Sequence, residues 1–178
     1  MKLFAALLIF TLSFFVSGEN KEKIAWNETR QLTWDDFRGS PPSSANFVAS
    51  TNSGISFSFS YSEKNGNRTM EHDVTCNFYP DQSWFKPGKV SEYILKHEQT
   101  HFDISELHAR ILRKRIAETT FSKNVKKEIG ALYHTTEQER QDVQNQYDLE
   151  TDHSKNIEEE YRWRQKIAKQ LKAYERWK

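Results

Sequence analysis

The sequence predicts an α+β fold, with an N-terminal antiparallel β-sheet followed by long α-helices. Three observations predict it. Ile55–Ser62 alternates apolar and polar residues without a break, the period of a half-buried strand. Asn65-Gly66, the strongest short hairpin signal, separates it from a second alternating run, Met70–Phe78. From Val90 the period becomes helical, with Tyr93, Ile94, His97, His101, Ile104, His108, Ile111 and Leu112 along one stripe.

The chain starts Met1-Lys2, continues with the apolar run Leu3–Val16, then Ser17-Gly18 and the charged cluster Glu19–Lys23. This is the layout of a secretory signal peptide, so residues 1–18 are set apart from the fold. The run falls short of the ~20 residues a bilayer span needs, so no stable membrane insertion is expected after cleavage. The expected location is secreted or periplasmic. Residues 19–178 form one expected domain, β-rich over 30–88 and helical over 90–178.

Within it, Trp34 and Phe37 anchor a short segment ended by Gly39, Pro41 and Pro42. In the return strand Met70, His72, Val74, Cys76 and Phe78 share a face, which predicts a buried His72. Cys76 is the only cysteine, so no internal disulfide is available. Pro80 and Pro87-Gly88 end the sheet region. The first helix should run to about residue 119, a second from about Asn124 to Tyr147, and a third from about Lys155 to the end. No apolar heptad persists for three turns, which argues against a coiled coil. With 26 basic and 25 acidic side chains, the net charge is +1 and offers no attraction to nucleic acid.

The first helix carries His97-Glu98-Gln99-Thr100-His101. Residues four apart on a helix lie on one face, about 6 Å from each other, so both imidazoles reach one ion. This is the H-E-x-x-H arrangement of zinc hydrolases, with Glu98 as general base. It makes the expected fold zincin-like and Zn2+ the expected cofactor.

A catalytic zinc takes a third protein ligand. If the second helix returns antiparallel, it reaches the level of His101 near residues 140–153. There His153 and Glu150 are the candidates, ahead of Asp148 and Asp152. Glu106 falls on the wrong helical face, and His108 lies about 10 Å along the axis from His101. Tyr147 or Tyr161 could serve the oxyanion, and Asp103 could orient a ligand histidine.

Three stretches, Leu32–Gly39, Leu95–Glu106 and Tyr147–His153 with Asn156 and Trp163 after it, come in an order that resembles a bacterial family of secreted or periplasmic proteins. That family is of unknown function and is predicted to comprise zinc-dependent proteases. The resemblance covers nearly all of the chain after residue 18. It implies a metallopeptidase-like domain with His97, Glu98 and His101 in the site, and it favours His153 as third ligand. The expected function is a secreted zinc metallopeptidase acting on peptide or protein substrates. The rivals are an inactive zincin-like scaffold of the cell envelope and a zinc amidase acting on cell-wall peptides.

Overall fold

The computed structural model describes residues 22–65 and 67–178, so the expected signal peptide lies outside the described residues. Five strands come first: β1 (Ile24–Ala25), β2 (Ala49–Ser50), β3 (Ser53–Lys64), β4 (Asn67–Phe78) and β5 (Trp84–Phe85). Three helices follow, α1 (Glu92–Glu118), α2 (Val125–Thr151) and α3 (Ile157–Ala173). This is the α+β order the sequence predicts.

β3 and β4 pair antiparallel from Ser53↔Phe78 to Lys64↔Asn67, and Asn65 between them takes φ 55°. That left-handed value is what a tight Asn-Gly connection requires. β1 adds to the other side of β4, giving the order β1-β4-β3. β2 and β5 form a separate two-stranded ribbon. The chain reaches β5 through a close approach at Gly39, whose N–H donates to the Ser83 carbonyl at 2.8 Å. A Cβ at Gly39 would stand 2.9 Å from that oxygen, so glycine is required there.

The half of the hairpin nearest α1 buries Ile55, Val74, Cys76 and Phe78. His72, opposite Phe59, is exposed instead of buried. The alternation at His72 is correct, but burial thins along that face beyond Val74, and its neighbours Phe59 and Met70 are only partly buried against the core. Trp34 clasps the core against Phe37 and Phe85, at ring separations of 5.1 and 5.0 Å.

The Ser91 hydroxyl caps α1 by accepting from the Ile94 N–H, and the Asn156 side chain caps α3 by accepting from the Glu159 N–H. Glu158, Glu159 and Glu160 fill the first turn of α3, where the helix dipole favours carboxylates. α1 lies between two apolar clusters. Phe78, Phe102, Leu112, Ile116 and Ile129 join it to the sheet and α2. Ile104, Leu107, Tyr147, Trp163 and Ile167 join it to α2 and α3. Among the described residues, no helix is long and apolar enough to cross a membrane.

Leu112 is fully enclosed at the centre of the first cluster. Leu112→Ala is expected to destabilise the chain by about 2–5 kcal/mol. In urea titrations this reads as a lower midpoint with an unchanged slope.

Candidate metal centre

Four residues apart on α1, His97 and His101 turn their Nε2 atoms toward each other at 3.2 Å. Asp148 of α2 completes a triangle. Its Oδ1 lies 3.2 Å from His97 Nε2 and 3.0 Å from His101 Nε2. These three residues form a cluster able to hold a metal ion. A tetrahedral zinc with bonds of about 2.0–2.1 Å holds its donors about 3.3 Å apart, so the spacing fits.

The protonation pattern also fits. His97 Nδ1 is 2.5 Å from Glu160 Oε1, so this nitrogen donates to the carboxylate. His101 Nδ1 faces Gln144 Oε1. The Gln144 amide is oriented by its own donations, to the His101 carbonyl at 2.8 Å and to Ser105 Oγ at 3.2 Å. With both Nδ1 atoms donating, a metal ion would meet a lone pair at each Nε2. Three acceptors this close repel unless a proton or a metal ion lies among them.

Glu160 of α3 is fully enclosed. Besides His97, its carboxylate accepts from the Tyr147 hydroxyl at 3.0 Å and from Arg164 at 2.9 Å. Burial works against its charge, but His97, Tyr147 and Arg164 together hold its pKa below the ordinary value. Burial likewise opposes ionisation of Asp148, and His101 and His97 overcome it, holding that carboxyl well below the usual range. For His97, burial disfavours the charged ring, yet Asp148, Glu160 and Glu98 raise its pKa to about 9 in the metal-free chain.

Glu98 lies beside the triangle on α1. It is buried, and its Oε2 has no hydrogen-bond partner among the described residues. An unpartnered buried carboxylate oxygen is costly, on the order of 1–3 kcal/mol or more. The triangle and Glu98 open into a cavity of about 550 Å³, whose opposite wall is the segment 46–51 with β2 in it. Thr51 ties that wall to α1 by donating to the Glu98 carbonyl at 3.2 Å.

The structure thus brings together His97, Glu98 and His101 and sets Asp148, not His153, at the third corner. α2 runs on through Thr151, which leaves His153 beyond the helix end. There it lines the cavity mouth, half-exposed, with Nδ1 3.5 Å from Asp148 Oδ1 and its ring stacked on Phe47. Glu150 lies two positions past Asp148, about 200° round the helix. It faces away and accepts from Trp163 Nε1 at 2.6 Å.

Tyr147 does not face the cavity. Its ring stacks on His97 at 4.7 Å and its hydroxyl is engaged by Glu160. Burial and that carboxylate push the phenol pKa far up. Asp103 accepts from Trp26 Nε1 and Gln99 Nε2, both at 2.8 Å, and touches neither histidine of the triangle. His108 is buried, donating back to the Ile104 carbonyl, and His134 is exposed. Sequence reasoning missed Glu160 and Gln144. The spacing of Gln144 and Asp148, four apart on one helical face, was the available signal for one of them.

With an ion in the triangle, the purified chain is expected to hold about one zinc. Asp148→Ala should lose it, while His153→Ala should keep it, both measured by elemental analysis after dialysis. Glu160→Gln should weaken affinity roughly 10- to 100-fold in competition with a chromogenic chelator.

A family model described as a bacterial protein of unknown function (DUF922) matches residues 28–154. That span takes in His97, Glu98, His101, Gln144 and Asp148, while Glu160 lies beyond it on α3. No curated protein and no solved structure gives a significant match. The matched span covers most of the sequence, and the chain belongs to this bacterial family.

Proposed function

We propose that this chain is a zinc-dependent peptide hydrolase of the bacterial envelope. The observation that carries the reading is the pairing of two features: three converging acceptors on His97, His101 and Asp148, and the unpartnered Oε2 of Glu98 beside them. The envelope setting rests on the signal-like run at residues 1–18.

His97, His101 and Asp148 would hold the ion. Zinc there supplies a Lewis acid that brings the pKa of water toward 7 and polarises a substrate carbonyl. The rest falls to the chain. Glu98 Oε2 takes the proton of the attacking water and delivers it to the nitrogen of the departing amine. Its position on α1, buried and without another partner, keeps the carboxylate free for that exchange. Glu160 and Gln144 fix the histidine rings through Nδ1. The segment 46–51 walls the cavity opposite, restricting water and confining the peptide.

An inactive scaffold would need the triangle and its supporting shell but not Glu98 Oε2. A metal-binding structural site is usually closed by a fourth protein ligand, whereas here three donors face a cavity. Both points favour hydrolysis over scaffolding.

Glu98→Gln preserves shape and should retain zinc at the wild-type level. Peptidase activity against a denatured, fluorescently quenched protein substrate should fall by at least about 100-fold. Equal activity in the variant, with zinc present in both, would remove Glu98 from the chemistry and with it the hydrolase reading.

A further inference from the structure

The cavity extends past the metal triangle along α2, from His153 at the mouth to Arg140. Asp148, Gln144 and Arg140 are spaced by four on this helix and share one face. Two of them already have assignments: Asp148 at the triangle and Gln144 against His101. Arg140 belongs to neither task.

Its side chain is only 12% exposed, so the guanidinium is held in place and not waving in solvent. Arginine carries five N–H donors. Nε–H and one N–H of Nη2 go to Glu137 Oε1, the first at 2.7 Å. One N–H of Nη1 goes to Ser105 Oγ at a long 3.4 Å. One N–H on each terminal nitrogen remains without a partner among the described residues. The guanidinium fork is thus only partly used, which leaves donors for a carboxylate.

The charge around the cavity points the same way. Lys89, Arg140 and Lys155 line it against Glu98 and Asp148, whose charge a divalent ion in the triangle would offset. Glu137 compensates Arg140 through one oxygen only, and its Oε2 is buried without a partner.

We propose that Arg140 determines substrate specificity by receiving a carboxylate of the peptide, either an acidic side chain or the chain's own C-terminal group, on one side of the cleaved bond. This rests on the peptide-hydrolase reading and deepens it. Eight helical residues separate Arg140 from Asp148, a rise of about 12 Å. An extended peptide covers that in about four residues, so the carboxylate lies within about four residues of the bond attacked.

The test reads binding, not turnover. The chain after residue 18, carrying Glu98→Gln and loaded with zinc, is titrated into labelled hexapeptide pools while fluorescence anisotropy is followed. The pools are randomised except for one fixed Glu or Gln, and each is made as the free acid and as the C-terminal amide. Pools bearing the recognised carboxylate should bind about 10- to 100-fold tighter than their neutral counterparts. A gain from Glu over Gln assigns an acidic side chain, and a gain from acid over amide assigns the C-terminus.

Arg140→Gln should abolish the gain, and Arg140→Lys, which keeps the charge and loses the fork, should restore only part of it. Because Arg140→Gln strands Glu137, the pair Arg140→Gln with Glu137→Gln is measured beside it and should give the same loss. A carboxylate preference that is absent, or unchanged in all three variants, overturns the role of Arg140 and leaves the hydrolase reading standing. Failure of every pool to bind overturns both.

Discussion

The structure depends on the middle of α1, from His97 to Ile116, being enclosed while it carries polar side chains around most of its circumference. His97, Glu98, Gln99, Thr100, Ser105, Glu106, His108 and Arg110 are all buried. Buried polar groups must be hydrogen-bonded or the fold loses the full cost of desolvating them. Each partner therefore fixes another segment. Gln99 accepts from the Leu32 N–H, and Ser105 meets Ser53 at the start of β3. Arg110 donates to the Leu171 carbonyl, and Arg113, on the next turn, to the carbonyls of Val74 and Trp177. Apolar burial on both sides supplies the driving force, but it is non-directional. The hydrogen bonds of α1 set which strand and which helix stand where.

Glu98 is one of the exceptions to that rule, with Tyr93, Glu137 and Arg164. Its backbone carbonyl is tied to Thr51, yet its Oε2 is buried without a partner. The contrast with Glu160, two helices further along the sequence and close in space, is instructive. Glu160 is more deeply buried, and both of its oxygens are satisfied by His97, Tyr147 and Arg164. A buried carboxylate is tolerable when it is paired and hydrogen-bonded. One of these two glutamates is built as a fixed support, and the other, a residue of the cavity lining, is left with unmet bonding capacity.

The hairpin, the three helices and the pairing of His97 with His101 were readable because each rests on local periodicity. Helical rise also located the stretch of α2 that faces His101. The choice within that stretch needed the facing of each residue. Asp148 shares a face with Gln144, Glu150 is turned away, and His153 falls beyond a helix that runs four residues longer than its apolar pattern suggests. His72 was misread because strand alternation reports which face a residue is on, not whether another element covers that face. Glu160 had no local signal, since its approach to His97 depends on how the chain turns between α2 and α3.

That turn explains how a third helix comes to serve the site. Asp152, His153 and Ser154 all take positive φ, at 46°, 50° and 72°. None is glycine, and each left-handed residue of this kind costs about 1–2 kcal/mol. The expense is offset locally by the His153 N–H bonding back to the Asp148 carbonyl and the Asn156 N–H to that of Thr151. The result is a reversal short enough that α3 starts at Ile157 and brings Glu160 under Tyr147 within its first turn. A looser, unstrained connection would let α3 swing, and His97 Nδ1 would lose the carboxylate that holds its ring. The strain at 152–154 is therefore coupled to the geometry of the triangle: the same five residues that end α2 just after Asp148 also aim the group that orients His97.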